Sequence, residues 1–487
     1  MAGRTGAKKA ASVIAGLRRQ VADRDREIAE LRAQVASLLA RVGELEAKLR
    51  ENSSNSSRPP SSDPPETPRP TKKPSGRRPG GQPGHAGTTR PLVPTEQADK
   101  VVPLSPTNCR GCGAKIKVFK KDPERRQVFE VPKVRPEITE YQLFCGECEC
   151  GVTTTATLPD GVPRGAFGPR LQAVVAACTG VYHLSKRTTE GLMEDLFGVT
   201  LGLGSVTTCE REMSENVAAP VAEAHAYVQS QPVVHADETG WREARRRAWL
   251  WVAVTSLVTV FMIHSRRGAI AARALLGAFK GILVTDRWSA YNGWKKRLRQ
   301  VCWAHLLREF TAFSERAGEA GRIGRDLLAE VDRMFDWWYR VRDGTLARSS
   351  FQEYMKPVRR RVRALLEEGK SCDHAKTAGT CREILKLEQG LWTFVRIPGV
   401  EPTNNAAERA IRPGVLWRKG SFGTHSPEGS RFVERMMTVA ATLKQQKRNI
   451  IDYLTQAAEA ALRGEPPPSL LPVVAVKCVA DLDRKAG

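Results

Sequence analysis

From position 14 onward the chain places apolar residues at alternating steps of three and four: Ile14, Leu17, Val21, Ile28, Leu31, Val35, Leu38, Val42, Leu45 and Leu49, with Arg24 the one polar residue on the seam. A 3.5-residue period kept over about five heptads predicts a coiled coil, so residues 9–52 read as a zipper-like dimerisation helix and the protein as at least a dimer. Residues 53–98 break the pattern. The stretch "SSNSSRPPSSDPPETPRPTKKPSGRRPGGQPGHAGTTRP" has almost no large apolar side chain. Such a segment cannot offset the entropy of ordering, which predicts a disordered basic Pro/Ser/Gly linker.

Strand-like runs, "RQVFEVPKV" and "EITEYQLF", then lie between two cysteine pairs within residues 99–163. From 164 to 228 the periodicity is helical, with a helix around Glu190 to Phe197, a glycine-bearing turn and a second helix capped by Ser205. That layout suits a helix-turn-helix DNA-binding region, and equally a plain helical pair in a core. After Val233 come strands "PVVHAD", "RAWLWVAVTS" and "LVTVFMIHS", a helix "GAIAARALLGAF" and a strand "GILVTD". Three antiparallel strands, a helix and a parallel strand predict the front half of a ribonuclease H-like sheet, with the first and fourth strands adjacent. This catalytic domain spans 229–425 with a helical insertion at about 311–395, where "DLLAEVDRMFDWWYRVR" and "PVRRRVRALLEE" are too long for a loop. Residues 426–487 form a C-terminal helical segment and tail. The fold class expected is therefore multidomain α+β: a ribonuclease H-like α/β catalytic core with a helical insertion, preceded by a coiled coil, a zinc ribbon and a helical DNA-binding region.

The longest apolar run, Ala248 to Ile263, is interrupted at Thr255 and Ser256 and falls short of the roughly 20 residues a membrane helix needs, so it predicts a buried hairpin. The amino terminus lacks the apolar stretch of a signal peptide. A cytoplasmic, nucleoid-associated protein without a membrane partner is expected. Over 487 residues, 77 Lys and Arg face 53 Asp and Glu, a formal charge of +24. That excess excludes no enzyme class but points to a polyanion, with double-stranded DNA the leading partner.

Eleven cysteines, an odd number without a secretion signal, argue for reduced thiols. "CRGC" at Cys109 and Cys112 and "CGEC" at Cys145 and Cys148 have the spacing of a structural tetrahedral Zn2+ site, with Cys150 competing with Cys148 as fourth ligand.

Asp237 and Asp286 each close an apolar run. On adjacent strands their carboxylates repel and raise each other's pKa unless a cation neutralises them, which points to Mg2+ or Mn2+. A third acid is expected from a helix packed on the sheet. Glu408 in "TNNAAERAIRP" fits, on a helix capped by Thr403 or an asparagine, with Arg409 and Arg412 near the same face for DNA phosphates. Glu238 reads as a solvated neighbour. Cys302 and His305 in "CWAHLLREF" are assigned to folding or to the wall of the site, not to a metal.

Taken together, "HADETGWR", "VTDRWSAYN", "CWAHL" and "TNNAAERAIRP" resemble the successive motifs of bacterial DDE transposases of the insertion-sequence family numbered sixty-six. "SSNSSRPPSSD" and "GGQPGH" resemble that family's linker, and "SFGTHSPEGSRFVERMMTVAATLKQQKRNIIDYL" its carboxy-terminal segment. The resemblance spans nearly the whole chain. It implies that Asp237, Asp286 and Glu408 form a metal-binding catalytic triad, and that the zinc ribbon and neighbouring helices recognise an element's terminal inverted repeats. Metal-dependent DNA cleavage and strand transfer into target DNA, aided by small accessory transposition proteins, are the activity implied. The competing expectation is a catalytically inactive zinc-dependent DNA-binding protein derived from a transposase.

Overall fold

The computed structural model describes residues 3–52, 56–58, 63, 90–118 and 123–472. The linker expected at 53–98 lies outside the described residues except at 56–58, 63 and 90–98, and so does the tail beyond 472. The chain divides into two units, one built from residues 1–69, 160–183 and 209–487 and the other from 70–159 and 184–208.

α1 (Gly3–Arg50) is one continuous helix. Its described seam side chains, from Leu17 to Leu49, are all exposed. In the second unit, β1 (Cys145–Glu147) and β2 (Thr153–Thr155) form a short antiparallel pair. The strands expected in "RQVFEVPKV" and "EITEYQLF" do not form among the described residues, and Val128, Val131 and Ile138 are left exposed. Without a neighbouring sheet, β-propensity alone does not make a strand.

Next come α2 (Pro169–Gly180), α3 (Lys186–Phe197), α4 (Leu203–Asn216) and α5 (Ala218–Gln229). Ser185 caps α3 through the Thr188 amide at 3.1 Å, and Gly198 ends it at φ +66°. Ser205, expected as a cap, instead lies inside α4, two residues past its start.

The sheet follows: β3 (Val233–Glu243), β4 (Arg246–Val254), β5 (Thr259–His264), α6 (Ala269–Leu276), β6 (Ile282–Thr285) and β7 (Arg299–Val301). Among the described residues these make a five-stranded mixed sheet in the order β5-β4-β3-β6-β7, antiparallel from β5 to β3 and parallel from β3 to β7. The long apolar run forms β4 and β5, the buried hairpin its break predicted. Among the described residues no helix is long and apolar enough to cross a membrane.

α7 (Trp303–Ser314), α8 (Gly318–Arg342), α9 (Arg348–Gly369), α10 (Ala375–Leu385), α11 (Glu388–Leu391) and α12 (Thr393–Arg396) share a core of their own. Ile282, Val284 and Val301 join the sheet to it. Then come α13 (Asn405–Ser421), α14 (Pro427–Gln445) and α15 (Ile450–Leu462).

Strand alternation divides the core. Val234, Ala236, Trp251, Ala253 and Leu283 point to a face filled by α2, α5, α6, α14 and α15. Leu250, Val252 and Phe261 point to the opposite face, against Ala407 and Ile411 of α13 and Val433 and Met437 of α14. Two expected boundaries therefore shift. α2 and α5 are part of the sheet's core rather than of a separate 164–228 module, because their small and branched apolar residues cover one of its faces. α14, placed beyond the catalytic domain by its sequence, closes the sheet's edge. Its Thr442, Thr438 and Glu434 side chains accept from the amides of Thr259, Phe261 and Ile263 at 3.1, 3.0 and 2.8 Å. Four residues of helix rise about 6 Å and two of strand about 6.8 Å, so acceptors at every fourth helix position meet every second strand amide. An edge that would template another strand is thereby satisfied within the chain.

Candidate active site

Asp237 was expected to end a strand, but β3 runs on for six residues to Glu243. What ends at this level is the parallel neighbour. The β3–β6 ladder closes at His235 opposite Val284, and Asp237 and Asp286 each lie two residues further along. Asp237 keeps its antiparallel partner, Val252. It is therefore held on a continuous strand next to the gap where β6 stops.

Asp286, just past β6, is fixed from several sides. Its Oδ1 accepts the Trp288 amide at 2.8 Å, and its carbonyl accepts from the Thr285 hydroxyl at 2.9 Å and Arg299 Nη2 at 3.1 Å.

Glu408 arrives on the first turn of α13. Asn404 is the N-cap residue, as the sequence allowed, yet its side chain makes no cap bond. Fully buried, it instead donates from Nδ2 to the Ala236 carbonyl at 2.8 Å, while His235 Nδ1 contacts its Oδ1 at 3.2 Å. Burial pushes His235 down to about 4, so the ring is neutral and donates as the Nδ1–H tautomer. Asn404 thus clamps the start of the Glu408 helix to the residue before Asp237.

Among the described residues the carboxylate oxygens of Asp237, Asp286 and Glu408 do not all fall within 4.8 Å of one another, but Asp237 feels the other two. Burial first, then the charges of Glu238, Asp286 and Glu408, raise the Asp237 carboxyl well above its ordinary range. Arg409 and Arg412 follow Glu408 on α13, both exposed. Asp286, Arg287, Trp288, His305, Arg308 and Lys376 line an adjoining cleft of about 580 Å³.

Two neighbours differ from their sequence reading. Glu238 is not solvated: its side chain is 1% exposed, and its carboxylate accepts from Tyr291 Oη at 2.7 Å and Arg267 Nε at 3.2 Å. Burial and then Asp286 push it up to about 7. Adjacent strand residues face opposite ways, so Glu238 enters the face opposite to Asp237, where Tyr291 and Arg267 supply the partners that make its burial tolerable. His305 lies against Glu408, Nδ1 to Oε1 at 3.5 Å, and both atoms are buried without a hydrogen-bond partner. Donor atoms of Cys302, His305 and Glu408 all fall within 4.8 Å of one another. Burial holds the Cys302 thiol up at about 11, and its sulfur accepts the Asn404 amide at 3.2 Å.

Of the cysteines, Cys109 and Cys112 share one tight turn, in which the Cys109 amide bonds the Ala114 carbonyl at 2.8 Å and Gly113 sits at φ +74°. The amides of Gly111 and Cys112 lower the Cys109 thiol. A similar turn carries Cys148, whose amide bonds the Val152 carbonyl at 3.0 Å with Gly151 at φ +83°. There the neighbouring thiol is that of Cys150, whose amide lowers Cys148, whereas Cys145 lies on β1. Among the described residues the two turns do not bring three of these sulfurs together.

Residues 164–431, more than half of the chain and including the whole sheet, match the model of the Transposase IS66 family, and the chain belongs to that family. Residues 14–91 match a family of unknown function (DUF6444). An uncharacterized protein of Sinorhizobium fredii, y4qI, is 27% identical over 242 residues, 45% of each chain. A second from that organism, y4hP, is 25% identical over 422 residues, 74% of this chain and 73% of the relative. The chain spans less than half the length of the first of these relatives.

Proposed function

We propose that this chain is a DDE transposase: it binds the terminal inverted repeats of an insertion sequence, hydrolyses the phosphodiester at the element's end and joins the freed 3′-hydroxyl to target DNA. The mixed sheet is read as a ribonuclease H-like catalytic core, with Asp237, Asp286 and Glu408 as its metal-binding triad. The observation carrying this reading is the placement of three acids on β3, just past the end of β6 and in the first turn of α13, with the Asp237 carboxyl raised first by burial and then by neighbouring acids that include the other two.

The donor set fits a hard divalent cation. Oxygen ligands predominate, their mutual repulsion is relieved by positive charge, and Glu408 Oε1 is buried with no hydrogen-bond partner. Asp237, Asp286 and Glu408 would hold Mg2+ or Mn2+, which would supply Lewis-acid activation of the attacking oxygen and charge stabilisation of the leaving one. The protein's part is positional. Strand β3 fixes Asp237, the Trp288 amide orients Asp286, and Asn404 ties the Glu408 helix to the strand. Exposed Arg409 and Arg412 are assigned to phosphates of the bound strand.

The same reading gives the cysteine turns a structural Zn2+ held by Cys109, Cys112 and Cys145, with Cys148 or Cys150 as fourth ligand. Backbone amides that favour the thiolates of Cys109 and Cys148 suit such a site. Helices α3 and α4 are assigned to end recognition, α1 to dimerisation, and small accessory proteins to the full reaction.

Nicking and joining of a labelled duplex bearing the element's end, with Mg2+ or Mn2+, tests the proposal. Loss of both in Asp237→Asn, with end binding retained, supports it. Equal binding with no cutting by either protein, accessory proteins included, would instead favour an inactive DNA-binding derivative.

A further inference from the structure

Beside the Asp286 cleft lies a second cavity, about 420 Å³, lined by Trp288, Asn292, Trp294, Lys296, Arg299 and Lys386 among others. Its size falls within the roughly 300–1,000 Å³ typical of small-ligand sites. Arg287 and Trp288 are common to both cavities, so the second begins where the candidate active site ends.

Its chemistry is specific. Arg299 is 1% exposed, and its guanidinium bonds only neutral oxygens: Asn292 Oδ1 at 3.2 Å, Thr285 Oγ1 at 3.1 Å and the Asp286 carbonyl at 3.1 Å. Its Nε, sealed from solvent, has no partner among the described residues. Trp288 is held as a rigid plane. Arg267 stacks on it at 4.3 Å, the indole nitrogen donates to the Arg267 carbonyl at 2.9 Å, and buried Glu238 anchors that arginine. Glu383, the acid in the lining, is paired with Lys386 at 2.6 Å. An adjoining cleft shares Lys296 and Lys386 and adds Arg363, together with Glu367 and Glu388.

We propose that this cavity receives an unstacked nucleotide of the DNA strand bound at Asp286, with its base against Trp288 and Trp294 and its phosphates met by Lys296 and Lys386. Aromatic planes flanked by cations are what an unpaired base and its backbone require. The inference rests on the transposase reading and adds to it a second binding site for the substrate.

The test uses the full chain and two fluorescent duplexes, one fully paired and one carrying a single bulged 2-aminopurine nucleotide. The wild type is expected to bind the bulged duplex roughly tenfold more tightly, and to quench the 2-aminopurine by stacking. Trp288→Ala should abolish the preference and the quenching. The double change Lys296→Ala with Lys386→Ala, at exposed positions, should abolish the preference while thermal unfolding stays unchanged. Equal affinity of the wild type for the two duplexes, or a preference surviving in either variant, overturns the assignment. End cleavage measured on the same preparations separates the two failures: cutting without bulge preference removes this cavity alone, whereas a chain that binds neither duplex removes the transposase reading as well.

Discussion

Asn404 donates to the carbonyl of Ala236 at 2.8 Å from a position 168 residues further along the chain, joining the helix that carries Glu408 to the strand that carries Asp237. The amide occupies a fully buried site and also meets His235. It holds two acids of the proposed triad in one frame.

Asn404→Ala leaves the Ala236 carbonyl and the His235 ring without their partner. It should destabilise the protein by about 1–3 kcal/mol in urea unfolding. Cleavage should fall by roughly 10- to 100-fold, because small displacements of catalytic groups are costly, while DNA binding persists. Unchanged cleavage by a folded Asn404→Ala protein would show that the clamp does not position the site.

Gly414 lets α13 lie close on β4, since a Cβ there would collide with Leu250 Cδ2. Gly414→Ala is expected to lose about 1–3 kcal/mol through overpacking. Adding Leu250→Ala should recover part of that loss, against the usual sum of two core losses. A double mutant whose stability is merely additive would place the strain elsewhere.

Burial pushes the Glu434 carboxyl up to about 7, although the Ile263 amide bonds it. The folded state therefore keeps a proton that the unfolded chain releases near the ordinary carboxylate range. Between about pH 4.5 and 7 the native state binds more protons, so stability falls as pH rises through that window. Glu238, also raised to about 7, acts in the same direction. In chelator, Glu434→Gln should remove part of the decline, up to roughly 2 kcal/mol between pH 5 and 8. Parallel wild-type and mutant stability curves would rule out this source.

The exposed seam of α1, including Leu31 and Leu38, is the proposed dimer interface. Leu31→Asp with Leu38→Asp should turn a dimer into a monomer in sedimentation equilibrium. The melting of the sheet-bearing unit should not move. A wild type that sediments as a monomer would dissociate the heptads from dimerisation.

Much of this was legible in the sequence because it is local. Apolar runs broken at Thr255 and Ser256 specify a hairpin, and the order of strands and helix from Val233 to Asp286 gives the mixed sheet. The apolar runs before Asp237 and Asp286 and the capping residues before Glu408 marked the elements that carry or lead to these acids. The heptads equally marked α1.

Other features depend on what packs against a residue, and no local pattern carries that. Alternation sends Glu238 to the face opposite Asp237 but does not say that Tyr291 and Arg267 wait there. Asp237 lies within a strand rather than at its end because β4 continues where β6 stops. Thr438 and Thr442 look like ordinary helix residues until β5 presents its free amides. The sequence by itself determined which residues carry charge and which elements they ride on, through short-range periodicity. Only the tertiary structure decided which charges meet, because burial and hydrogen-bond partners are set by contacts between segments far apart in the chain.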